Sequence, residues 1–175
     1  MKDVLKIEDG VLKECTDKDV ESVVIPEGVT EIGGCTFKGC NINEFSHPLL
    51  TIKNGVAIRD NEVLCCASQS TSVVTIPEDV TKISDYAFSH CESLSSVEIP
   101  SSVTVIGACA FECCTSLESV AFGGTVAQWK AVEKEADWHY GVPASSVKCS
   151  DGKSFEEDNE CFEEDDEYFD DDDED

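Results

Sequence analysis

Hydrophobic and polar positions recur along this chain with a period near 23 residues. Residues 74–91 read VTIPEDVTKISDYAFSHC and residues 97–114 read VEIPSSVTVIGACAFECC, which aligns Ile76 with Ile99, Val80 with Val103, Ile83 with Ile106, Phe88 with Phe111 and Cys91 with Cys114. A third copy, VVIPEGVTEIGGCTFKGC at 23–40, sets Pro26, Val29, Ile32, Phe37 and Cys40 at the same places. The frame continues in Leu117, Val120 and Phe122. A weaker copy surfaces at Ile42, Phe45 and Pro48 without a second half, so that coil is expected to be irregular.

A period of this length is too short for a helical hairpin repeat and falls in the roughly 20–29 residue range of leucine-rich repeats. Each unit is then one coil of a solenoid. Leu94, Val97 and Ile99 show the alternation of a short strand, and Pro100 ends it because it has no N–H for a ladder. Val103, Ile106, Cys109 and Phe111 return along the other side. One coil cannot cover its own apolar face. Equivalent Val, Ile and Phe residues must therefore stack between coils, each large buried side chain contributing roughly 1.5–3 kcal/mol.

The string V-x-I-P-x-x-V-x-x-I-x-x-x-A-F-x-x-C, carried by Val97, Ile99, Pro100, Val103, Ile106, Ala110, Phe111 and Cys114 and again by Val74, Ile76, Pro77, Val80, Ile83, Ala87, Phe88 and Cys91, resembles the bacterial BspA-type (Treponema pallidum-type) leucine-rich repeat. The resemblance covers about residues 5–150. It implies a β-rich leucine-rich-repeat solenoid with short helical turns, a right-handed stack of about four to five coils. The first copy departs by placing Thr36 where the others have Ala.

Ile52–Ile58, the polar Arg59–Glu62 and Val63–Cys66 read as two strands around a turn, a β-hairpin inserted between coils at about 50–68. Ile7–Leu12 followed by Thr16–Asp19 is a shorter version at the amino end, placed to cover the first coil. Past Phe122, Thr125 and Gln128 form a candidate capping box for a short helix running to about Lys134, with Val126, Trp129 and Val132 on one face. Trp138, Tyr140, Val142 and the strand-like Ser146–Cys149 complete a carboxyl-terminal cap, similar to the family's G-T-x-x-Q-W and V-x-C-x-D-G ending. The expected organisation is a capping region at 1–22, repeats at 23–122, a cap at 123–153 and a disordered acidic tail at 154–175.

Charge adds a second theme. The 175 residues hold 38 Asp or Glu against 12 Lys or Arg, a formal net charge of -26. Fifteen of the acidic residues lie at 156–175 with no basic residue among them, leaving 23 against 12 in the body. A chain so short of cations lacks a groove to neutralise phosphates, which speaks against direct nucleic-acid binding. The tail is too charged to bury itself, and Phe162, Tyr168 and Phe169 are its candidate apolar anchors for a basic partner. No apolar run is long enough to cross a bilayer and the first residues do not read as a leader. The expectation is therefore a cytoplasmic location, or a surface or secreted one if a leader has been removed.

The candidates for chemistry have plainer explanations. The 11 Cys are an odd number with adjacent pairs Cys65–Cys66 and Cys113–Cys114 and no C-x-x-C, so neither a complete disulfide framework nor a structural zinc site is indicated. Cys40, Cys91 and Cys114 share one repeat position, and Cys35 and Cys109 another that holds Tyr86; both sets read as small core residues. His47, His90 and His139 stand in unrelated contexts without a paired nucleophile. There is no P-loop and no EF-hand spacing, while Gly33 and Gly107 suit a tight bend after the buried Ile. No enzyme activity, metal or cofactor is expected.

Function then rests on surfaces. Outward strand positions Val24, Ser46, Thr75, Glu98 and Ala121 form a candidate partner-binding face of a monomeric, non-enzymatic protein-binding or scaffold module. One alternative is that the repeats carry a working tail, a nucleic-acid mimic or chaperone-like arm for basic proteins. A surface adhesin of the BspA type is another, if the protein is exported, and a thiol-based enzyme or sensor, which would need a strongly reactive cysteine, is a third.

Overall fold

Two ladders of short parallel strands run along the molecule. The computed structural model describes residues 4–33, 36–37, 40, 44–46, 50–66 and 71–156. In chain order the elements are β1 Leu5–Glu8, β2 Val11–Cys15, β3 Ser22–Val24, β4 Glu31–Ile32, β5 Glu44–Ser46, β6 Thr51–Lys53, β7 Val56–Arg59, β8 Glu62–Cys66, β9 Val73–Thr75, β10 Lys82–Ile83, β11 Ser96–Ile99, β12 Val105–Ile106, β13 Ser119–Phe122, α1 Val126–Ala131, β14 Glu133–Lys134, β15 Ser146–Cys149 and β16 Ser154–Glu156. The result is a β-solenoid of about five turns with very little helix.

The longer ladder runs β9, β11, β13, β15 in parallel and is closed by the antiparallel β16; β3 pairs with β5 as a separate two-stranded sheet. The shorter ladder runs β8, β10, β12, β14, with β2 and β4 as its counterpart near the amino end. Between the ladders the carbonyls of Pro26, Pro77 and Pro100 accept the N–H of the Val three residues on, at 3.0, 3.1 and 3.2 Å, which turns the chain in each of these coils.

Val97, Ile99, Val103, Ile106, Ala110, Phe111 and Cys114 are all buried, as are their counterparts 23 residues earlier. The aromatic position forms a column: Phe88 and Phe111 stack at 4.8 Å, and Trp138 meets Phe111 edge-on at 6.1 Å. Trp129 packs between Phe122 and Trp138, so two large rings seal the end of the core. The capping box at Thr125 and Gln128 is present, but α1 stops at Ala131 rather than running to Lys134. Tertiary bonding ends it: the amides of Glu133 and Glu135 donate to the carbonyls of Thr104 and Ile106 at 2.9 Å, drawing β14 into the shorter ladder.

The inserted element has three strands, not two. Asn54 and Gly55 both take positive φ, 53° and 79°, and turn the stretch read as one strand back on itself into antiparallel β6 and β7. Both faces of β7 and β8 are buried. Val56, Ile58, Val63 and Cys66 pack into the larger core toward the carboxyl end, while Ala57 and Cys65 pack into a second core with Leu12, Val23, Val29, Phe37 and Cys40. The insertion is a wall between two cores.

This wall belongs to a longer repeat. Features of residues 5–33 recur 51 residues later: the hairpin bulge at Lys6/Ile7 and at Ala57/Ile58, the bonds Thr30–Gly10 and Thr81–Asn61 at 2.8 Å, Gly33–Leu12 and Ser84–Val63 at 2.9 Å, and the Pro26 and Pro77 turns. The chain is built from two hairpin-plus-coil modules and then further coils.

Three side-chain expectations change. Tyr86 and Cys109, φ 58° and 52°, occupy a left-handed turn at the surface of the coil, so Cys109 is half-buried and not part of a core ladder; Cys35 lies outside the described residues. Gly33 and Gly107 make no positive-φ bend. Gly107 is needed because a Cβ there would collide with the carboxylate and backbone of Asp85 on the preceding coil. Thr36 remains buried in the Ala position because its hydroxyl donates to backbone, 2.8 Å from the Leu12 and 2.7 Å from the Gly33 carbonyl.

Candidate functional site

Strand alternation places Val97 and Ile99 in the core and turns Glu98 outward, and the same rule applies to each strand of the longer ladder. Register then decides which outward residues meet. Thr75, Glu98 and Ala121 are direct neighbours across β9, β11 and β13, and β15 adds Lys148 to the same row. With strands about 4.8 Å apart, this row spans roughly 14 Å. The Thr75 hydroxyl donates to Glu98 Oε2 at 2.9 Å, tying two of its members together. A second outward row, Val73, Ser96 and Ser119, runs beside it, and Val73 is an exposed large apolar side chain on the face.

Not all of the expected face is continuous. Val24 and Ser46 pair with each other in the β3–β5 sheet and are not hydrogen-bonded to the longer ladder. The physical reason is the wall of β6–β8, which takes the place of the return half of that coil. Val24 is 73% exposed. At the carboxyl ends of the strands, Thr75, Glu98, Ala121, Pro100 and Phe122 line a shallow groove of about 180 Å³ together with Glu78. Lys148, Val73 and Glu78 were not among the expected site residues. Lys148 was legible, since it stands between the apolar Val147 and Cys149.

The thiols lie mostly in the cores. Burial, and then the neighbouring Cys15, push the Cys40 thiol up to about 12, and burial pushes Cys114 up to about 12 as well. Cys91 is held far above its usual range first by its hydrogen bond with Cys66 and then by burial, and burial does the same to Cys65. Protonated, inward-facing thiols are poor nucleophiles and poor metal ligands. Among the described residues no three His, Cys, Asp or Glu side chains gather as a metal-binding group. His139 packs against Trp138 with ring centroids 4.3 Å apart, His90 occupies a left-handed turn with φ 59°, and His47 lies outside the described residues. Phe162, Tyr168 and Phe169 also lie outside them.

On the other side of the solenoid, Glu62 joins two coils. Burial by itself raises its carboxyl, but the Ser84 hydroxyl at 2.7 Å and the Lys82 ammonium at 2.9 Å outweigh it and leave the group below the usual carboxylate range. No described helix is long and apolar enough to cross a membrane.

A family model described as "BspA type Leucine rich repeat region" matches residues 5–131 in six copies. No curated protein shows a match to the chain. Among solved structures, a leucine rich cell surface protein from Faecalibacterium prausnitzii is similar at 28% identity and TM-score 0.44, over 73% of this chain and 33% of that one. A leucine-rich repeat protein from Eubacterium ventriosum is similar at 20% identity and TM-score 0.39, over 73% and 37% respectively. The chain thus spans about a third of the length of each.

Proposed function

Since the chain belongs to the BspA-type leucine-rich repeat family, we propose that it is a non-enzymatic protein-binding module whose contact surface is the outward face of β9, β11, β13 and β15. The observation that carries this reading is the row Thr75, Glu98, Ala121 and Lys148, held in register on a rigid sheet and bordered by the 180 Å³ groove. The small Ala121 side chain leaves the groove it lines accessible, whereas Glu98 and Lys148 supply charge of both signs for orientation. The exposed Val73 gives the face an apolar contact.

The acidic tail supports a second reading, in which 157–175 is an electrostatic arm for basic proteins and the repeats carry it. Binding by the face does not depend on compartment. The comparisons lend no support to the cytoplasmic location expected from the sequence, and adhesion at a cell surface is a form that face binding would take in an exported protein.

Affinity capture from the source cells separates the two readings. The arms are the full chain, the chain ending at Glu156, which keeps β16, and the full chain carrying Ala121→Arg. Partners that remain on the shortened chain at high salt and are lost with Ala121→Arg support the face. Partners that need 157–175 and wash off as salt rises support the tail.

A further inference from the structure

In a regular coil of the shorter ladder, two carbonyls are each met by an amide of the next coil. Thr81 and Ile83 accept from Thr104 and Gly107, and Thr104 and Ile106 accept from Glu133 and Glu135, all at 2.9 Å. The equivalent carbonyls of β4 belong to Thr30 and Ile32. Among the described residues no strand follows β4 in this ladder. The Arg59 guanidinium takes the place of one missing amide, with Nη1 3.1 Å from the Thr30 carbonyl. No backbone donor meets the Ile32 carbonyl among the described residues. The amides of Glu31 and Gly33 both point to β2, so by strand alternation the Ile32 N–H points to the same open side.

A groove of about 490 Å³ opens at this edge, with Glu31 and Ile32 on one wall and Arg59, Glu62, Lys82 and Asp85 on the other. We propose that this groove seats an added β-strand: a short extended segment of a partner protein that carries Lys or Arg and hydrogen-bonds to the open edge of β4. Strand addition uses main-chain bonds for affinity and alternate side chains for selection. Lys82 is paired with Glu62 at 2.9 Å, whereas Arg59 donates to the neutral Thr30 carbonyl and keeps its positive charge. The three carboxylates of Glu31, Glu62 and Asp85 outnumber the two cations and leave the lining one net negative charge; among the described residues Asp85 accepts from the Ala108 amide at 3.1 Å. An acidic segment, such as this chain's own tail, meets repulsion there, and a basic one meets attraction.

The test uses the full chain and a labelled, end-blocked eight-residue peptide that alternates Lys with Val. The expected result is saturable binding with the largest NMR amide shifts at Thr30–Gly33. Replacing each Lys of the peptide by Glu, or two of its residues by Pro, is expected to weaken binding at least tenfold. Ile32→Pro blocks the open edge while leaving the Glu31 and Gly33 bonds to β2, and is expected to weaken it tenfold as well. If Ile32→Pro fails to fold, Glu31→Lys at an exposed position gives the same reading with no demand on the core. No binding, binding unchanged in the variants, or shifts confined to the Thr75–Lys148 row or to residues 157–175 would overturn the proposal. The face of the longer ladder is tested by Ala121→Arg and this edge by the β4 variants, so either assignment can fail without the other.

Discussion

At the scale of single residues, the repeat works because one position serves the same purpose in every coil. Phe111 stacks on Phe88 on one side and meets Trp138 on the other. Phe111→Ala is expected to cost about 3–5 kcal/mol in urea unfolding, the range for truncating a buried aromatic. A loss under 1 kcal/mol would show that the column is not a continuous core. Thiol chemistry follows burial: of the described cysteines, Cys109 and Cys113 alone are half-buried, and they are expected to label first in a pulse with a maleimide read by mass spectrometry. Cys40, Cys91 and Cys114 are expected to label only as fast as the fold opens. Glu62 makes a pH prediction. Folding lowers its carboxyl, so its contribution is complete above the range of the unfolded group and fades as pH falls through the lower folded value. Ser84→Ala removes one bond that holds it down, and an NMR titration is expected to show the Glu62 pKa rising in that variant.

At the scale of elements, the two hairpins show how burial alone rewrites one motif. In β1–β2 the register pair Lys6 and Glu14 faces solvent. At the same module positions in β7–β8 stand Ala57 and Cys65, also register partners, and both are buried in the second core. One hairpin covers an end, so its outer face is charged; the other separates two cores, so both faces are apolar. Ala57→Asp places an unpaired charge in that interface and is expected to destabilise the protein by several kcal/mol, whereas Lys6→Ala stays within about 0.5 kcal/mol by the same denaturation. Equal effects at the two sites would contradict the assignment of β7–β8 as an internal wall. The alternation of VAIR and EVLCC already departs from a one-sided strand, and that was the overlooked signal.

For the whole molecule, stacked coils contact only their neighbours, so stability is distributed along the axis rather than held at one centre. The described core that extends from Val56 to Cys149 includes the aromatic column and both Trp residues, while the core at the amino end holds Phe37 and smaller side chains. Native-state hydrogen exchange is expected to be slowest at Val97 and Val120 and faster at Leu12 and Val23. The reverse order would place the folding core at the other end. The net charge of -26 acts on the entire chain, and screening it with salt is expected to raise the melting temperature between low and physiological ionic strength.

The sequence alone determined the period, the strands of the regular coils, the proline turns, the capping box and the outward placement of Thr75, Glu98 and Ala121. Those features are local or repeat at a fixed interval, and each copy is constrained by the same contact with its neighbour. Tertiary structure alone decided where the ladders break, that Val24 and Ser46 stand apart from the main face, that α1 yields its last turn to β14, and that no described strand follows β4 in its ladder. These depend on what packs against the far side of an element, which spacing within the element does not record. The 51-residue module lies between the two cases: its matching positions are present in the chain, but Lys6 and Ala57 differ so much in polarity that only their shared register in space reveals the equivalence.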